Sequence, residues 1–150
     1  MHGFARYSFA ATAGLCLFSF SGAIGQALKG EAAGYDAANG RALYTAHCSA
    51  CHQASGEGLP GAFPPLKGSG VVNKDDASKH LHVVLAGMQG GKAGGVVYFS
   101  AMPPFAAVLS DADIADIVDY ERSSWGNHGN PVTAAQVAAE RANSKGTEHQ

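Results

Sequence analysis

The sequence predicts an all-α domain, in which short helices are joined by long glycine- and proline-rich loops. Three observations predict it. Apolar residues recur at helical spacing in three stretches, near 36–51, 77–88 and 110–125. The segments between them are rich in Gly and Pro, which break helices and favour turns. At the end of the first stretch, Cys48-Ser49-Ala50-Cys51-His52 places two thiols and an imidazole within five residues.

That last stretch reads C-x-x-C-H, the pattern to which a c-type haem is attached. Two cysteines three apart share one face of a helical turn, so both sulfurs reach the vinyl groups of one porphyrin. Each forms a thioether, and His52 beside the second anchor supplies a nitrogen to the iron. Two other readings stay open on the residues alone. A thiol–disulfide redox pair expects a βαβ setting, and no such pattern surrounds the motif. Half of a zinc site expects a second Cys or His pair at knuckle spacing, and the sequence offers none.

Upstream, Arg6 precedes an apolar run from Phe9 to Phe20, followed by the small residues Ser21, Gly22, Ala23 and Gly25. This is the layout of a secretory signal peptide, with residues 1–25 removed, or cleavage as late as Ala27. The alternative is an uncleaved anchor, although the run is short of the roughly 20 apolar residues a span needs. A lipoprotein at Cys16 is disfavoured by the bulk of Leu15. Removal of the leader leaves Cys48 and Cys51 as the remaining cysteines, so disulfides do not staple the fold. It also leaves a chain of about 125 residues, one domain in size. Ten Lys and Arg stand against twelve Asp and Glu. No basic stripe invites nucleic acid.

The first helix is expected from Asp36, its cap, to Cys51, with Gly40, Leu43, Tyr44, His47, Cys48 and Cys51 on one face. Gly40 lowers helix propensity, so its use is the close approach of a second helix. Ser55 to Gly70 reads as an ordered loop whose Leu59, Phe63 and Leu66 touch the porphyrin. A second helix spans about Ala77 to Met88, with Leu81, Val84, Leu85 and Met88 inward and His80 and His82 solvated. A glycine-rich break through Gly90, Gly91, Gly94 and Gly95 leads into 96–105. The third helix has Ser110 and Asp113 as a capping box and Leu109 with Ile114 as a hydrophobic staple. Its Ile114, Ile117, Val118 and Tyr120 face inward, and it ends near Trp125 and Gly126. Asp111, Asp113, Asp116 and Asp119 are the densest charge group, expected to be its solvated face. A short fourth helix from Thr133 to Arg141, capped by Thr133 and Gln136, is either docked or frayed, and 143–150 is expected to be disordered. The predicted division is leader 1–25, domain 26–130 and a C-terminal appendage 131–150.

Together these parts resemble the class I cytochrome c family, and more closely the cytochrome c domains of periplasmic quinoprotein alcohol dehydrogenase haem subunits. The stretches that carry the resemblance are Leu43-Tyr44 with the C-x-x-C-H motif, Gly58-Leu59-Pro60-Gly61 with Phe63-Pro64-Pro65-Leu66, Ser100-Ala101-Met102-Pro103, Arg122 to Asn127, and Pro131 to Ala134. Those subunits carry several haem domains, whereas one motif is present here. The resemblance implies a class I cytochrome c fold around one covalent haem c held by Cys48 and Cys51. It implies His52 and Met102 as the iron ligands. The residues agree on Met102, since a thioether is a soft ligand and Pro103 and Pro104 brace its loop. His47, His80, His82 and His128 compete for that place, and Met88 reads as core. The resemblance also points to the Pro65 carbonyl as the partner of His52, with Leu66 beside it, and to a crossing of the first and last helices at Gly40 and Tyr120. Tyr98 and Trp125 either bond the haem propionates or pack on its edge.

The expected function is periplasmic one-electron transfer rather than catalysis, between a dehydrogenase or quinol complex and a terminal oxidase or reductase. The partners expected are redox proteins docked briefly through a small, salt-sensitive contact. A dedicated haem subunit of a larger dehydrogenase or oxidase is the alternative. A haem sensor or peroxidase-like enzyme would need an open iron position.

Overall fold

The computed structural model describes residues 34–146, so the expected leader at 1–25, residues 26–33 and residues 147–150 lie outside the described residues. Five helices and one hairpin follow in order. They are α1 Ala37–His47, α2 Ser49–His52, α3 Ser78–Ala86, β1 Met88–Ala93, β2 Val96–Met102, α4 Asp111–Ser123 and α5 Ala134–Gly146. Among the described residues no helix is long and apolar enough to cross a membrane.

The helix starts obey their caps. The Asp36 carboxylate accepts from the amides of Ala38 and Asn39, satisfying two donors that α1 leaves free. Ser110 and Asp113 close a reciprocal capping box on α4. Thr133 and Gln136 do the same ahead of α5, at 2.8 and 3.2 Å. The single helix expected from Asp36 to Cys51 is broken at Cys48 (φ −115°), which separates α1 from α2.

The core lies where α3, α4 and α5 meet. Leu81, Val84 and Leu85 of α3 pack with Ile114, Ile117 and Val118 of α4 and with Val132 and Val137. Side chains of this kind each stabilise by about 1.5–3 kcal/mol when fully buried. Val137 is completely buried, so α5 is docked onto the core rather than frayed, and it runs on to Gly146 through residues expected to be disordered. Arg141 anchors it by pairing with Asp111 at 2.7 Å and donating to the carbonyls of Ala106 and Leu109.

α1 crosses α4 at Gly40, where a Cβ would run into the Asp116 backbone and lie 3.1 Å from the Tyr120 Cβ. The expected crossing is therefore present, and its closeness requires glycine. Tyr44, Tyr120 and Trp125 stack beside it with ring centroids 5.1 to 5.6 Å apart.

Two expectations are corrected. The fold is not purely helical, because the segment from Met88 to Met102 forms an antiparallel hairpin. Its turn is Gly94-Gly95, both at positive φ (55° and 87°), the type I′ geometry that suits the twist of a two-residue hairpin. Met88 consequently opens β1, paired with Met102 and 39% exposed, rather than closing the inner stripe of a helix. The four aspartates of α4 are also not a solvated face. Asp111 pairs with Arg141, Asp113 closes the capping box, Asp116 accepts from Asp36 N and Asn39 Nδ2, and Asp119 accepts from Val132 N.

Candidate functional site

A largely apolar cavity opens between the C-x-x-C-H turn, the 63–72 loop, α3, the hairpin and α4. Cys48, Cys51 and His52 form one part of its lining, and Met102 at the end of β2 forms another. Pro65, Leu66 and Tyr98 also line it, as expected. Phe63 does too, whereas Leu59 stands 49% exposed outside it.

Local geometry prepares His52. Its Nδ1 lies 2.9 Å from the Pro64 carbonyl oxygen, which can only accept. Nδ1 therefore carries the proton, and the Nε2 lone pair is left for a metal. The partner is Pro64, one residue before the Pro65 that was expected. His52 itself is 8% exposed, so its ring is held by the loop rather than by solvent. The loop is fixed in turn by backbone bonds from Gly58 N to His52 O and from Leu66 N to Gly56 O.

Trp125 does not line the cavity. Its indole N–H donates to the Ala54 carbonyl at 3.1 Å, and its ring closes the aromatic cluster over Tyr44. It takes a positive φ of 53° just after α4. Among the competing histidines, His47 and His80 line the cavity, while His82 bonds Glu140 at 3.0 Å and His128 is exposed.

Sequence reasoning missed three polar residues that build this region. Arg122 is 1% exposed and donates to the carbonyls of Val72, Lys74 and Asn130. Asn127 accepts from Gly68 N and Asn73 Nδ2, and donates to the carbonyls of Leu66 and Glu121. Both tie the cavity loop to α4. Glu121 is the third, buried and bonded to His80, which was expected in solvent. The spacing held a signal for this pair: His80 precedes Val84 by four, and Glu121 follows Ile117 by four, so each continues a buried stripe.

The electrostatics speak against a reactive dithiol. Burial, and then the nearby Glu121 carboxylate, push the Cys48 thiol well above its ordinary range. A redox-active cysteine needs the opposite shift. A zinc reading gains no support either, since no cluster of three or more His, Cys, Asp or Glu fit to hold a metal occurs among the described residues. An apolar slot with two thiols, a correctly polarised imidazole and a thioether on its walls does fit a porphyrin.

Known proteins agree. The family model for cytochrome c matches residues 37–125, from the start of α1 to just past α4. The chain is 37% identical over 114 residues to cytochrome c-552 of Thermus thermophilus, covering 70% of this chain and 86% of that protein. It is 35% identical over 96 residues to the cytochrome c subunit of a quinone alcohol dehydrogenase from Gluconobacter oxydans, covering 64% of this chain and 20% of that subunit. It is 33% identical over 119 residues to the gluconate 2-dehydrogenase cytochrome c subunit of Pantoea cypripedii, covering 78% and 27%. Since the matched region contains the motif and nearly every wall of the slot, the chain belongs to the cytochrome c family, an electron carrier with covalently bound haem c.

Proposed function

We propose that the chain is a periplasmic mono-haem carrier whose iron is held by His52 and Met102, shuttling single electrons between a dehydrogenase or quinol complex and a terminal oxidase or reductase. The observation that carries this is the common cavity of His52 and Met102, with the His52 lone pair freed by the bond to Pro64. When bound, the haem supplies one reversible electron. The protein's part is to fix its surroundings.

Cys48 and Cys51 tether the group through thioethers. Pro64 holds the proton on Nδ1 of His52 and sets the ring's orientation. Met102 packs against the core and is followed by Pro103 and Pro104, which limit its backbone freedom. Met88 also lines the cavity, but its 39% exposure makes it the poorer ligand. Pro65, Leu66, Val83 and Val84 keep the slot apolar, and Tyr98 offers a hydroxyl to a propionate. Residues 1–25 act as the export signal.

The match to cytochrome c-552 over 86% of its length supports a free carrier. The matches to dehydrogenase subunits support a second reading, a haem domain working inside such a complex. Potentiometry on the exported holoprotein, with pull-down from native periplasm, separates the readings. A reversible one-electron response with no stable partner fits the carrier. A dehydrogenase retained through purification makes it a subunit, and an irreversible response excludes both.

A further inference from the structure

Inside the cavity wall lies an ionisable pair that ligation does not use. His80 of α3 and Glu121 of α4 meet at 2.7 Å between Nε2 and Oε2, with side chains only 5% and 4% exposed. Both residues line the cavity. Among the described residues, the one buried side-chain polar atom without a hydrogen-bond partner is the other nitrogen of this ring, Nδ1 of His80. Buried polar atoms are normally satisfied, so the unshared lone pair on this buried ring, in a residue of the cavity lining, calls for a role.

A carboxylate can only accept, so Nε2–H donates to Glu121 and Nδ1 is the atom at which a second ring proton would sit. The pair thus has two states, neutral imidazole with carboxylate and imidazolium with carboxylate, which differ by one charge. Among the described residues the charged neighbours are few, and the haem propionates would add to them when the group is bound. Asp119 lies within electrostatic reach of His80, and Tyr44 of α1 and Cys48 just after it lie within reach of Glu121. Lys79 lines the cavity from α3 but is exposed. The Arg122 guanidinium is taken up by backbone carbonyls. The field of Glu121 therefore reaches Cys48, one of the two attachment sulfurs, through a medium with little water to screen it.

We propose that the His80–Glu121 pair binds one proton from solvent when the protein takes up an electron and releases it when the electron leaves, with the proton held at Nδ1 of His80. This rests on the carrier reading above. The electron comes from the one-electron donor protein and departs to the acceptor, and the proton comes from solvent and returns to it, so charge balances in each molecule that takes up both. An added negative charge in the slot favours imidazolium over imidazole, and by linkage the bound proton raises the reduction potential.

Potentials of the holoprotein measured from pH 5 to 9 test this. The expected result is a potential that falls as pH rises between two plateaus. A tenfold difference in proton affinity between the redox states separates those plateaus by about 59 mV. His80→Gln and Glu121→Gln should each flatten that fall, while His82→Gln should leave it unchanged. A flat parent profile, a slope that survives in both variants, or equal flattening by His82→Gln would overturn the proposal. Should the variants not fold, ring-nitrogen NMR of His80 in the parent decides. His80 should hold its proton to higher pH in the chemically reduced protein than in the oxidised one, and identical titrations would overturn the proposal. An irreversible electrode response at every pH would instead count against the carrier reading, with the NMR comparison still deciding the proton.

Discussion

Asp119 shows how a single side chain can work against the fold that uses it. It is 4% exposed on α4, and its Oδ1 accepts from Val132 N at 2.7 Å, fixing the entry to α5. Burial raises its pKa to about 6, against the opposing pull of the Val132 amide and Arg122, with Asp116 adding to the rise. A carboxyl whose folded pKa lies above its unfolded value binds more protons in the folded state. Its contribution to stability is thus full at low pH and is lost as pH climbs from about 4 to about 6. Asp119→Asn keeps the acceptor for Val132 and removes the titration. Urea unfolding should show the variant gaining on the parent between those pH values, by on the order of 1–3 kcal/mol at pH 7. A constant difference between parent and variant from pH 4 to 7 would contradict this assignment.

At the scale of elements, the crossing of α1 over α4 decides whether the motif meets its cavity. Gly40→Ala places a methyl group against the Asp116 backbone, which has no flexible end to give way. The expected cost is about 1–3 kcal/mol, read as a lower urea midpoint with an unchanged slope. A variant as stable as the parent would mean that the helices do not approach this closely. The same elements show what the sequence makes legible. The starts of α1, α4 and α5 are readable because capping is local chemistry within four residues. The packing glycine is readable because a helix tolerates it only for a reason. The hairpin is not legible in the same way, since Met88-Gln89-Gly90-Gly91 carries no alternating apolar pattern and is held by its partner strand. The buried roles of His80, Glu121, Arg122 and Asn127 depend on contacts 6 to 61 residues apart, or on stripes whose apolar members drew the eye first. The aspartates of α4 misled for a related reason: charge density alone does not reveal which carboxylates are claimed by amides and Arg141.

For the whole molecule, those internal claims change the expectation for docking. The full chain carries a formal charge of only −2, and its densest acidic group is engaged within the fold. The hairpin instead presents Val96, Val97 and Phe99 at 47%, 51% and 85% exposure. Electron exchange with a redox partner should therefore slow by less than about tenfold as ionic strength rises from low to physiological, as measured by stopped flow. A fall of about a hundredfold or more would point to a charged docking face. The central claim is that His52 and Met102 together close the iron's coordination, which makes the protein a carrier and leaves no open position for an enzyme or sensor. The weak methionine-to-iron charge-transfer band of the ferric protein tests it most directly. The account predicts that the parent shows the band, that Met88→Leu keeps it, and that Met102→Ala loses it and gains binding of carbon monoxide or cyanide. Absence of the band in the parent, or its survival in Met102→Ala, would contradict the account.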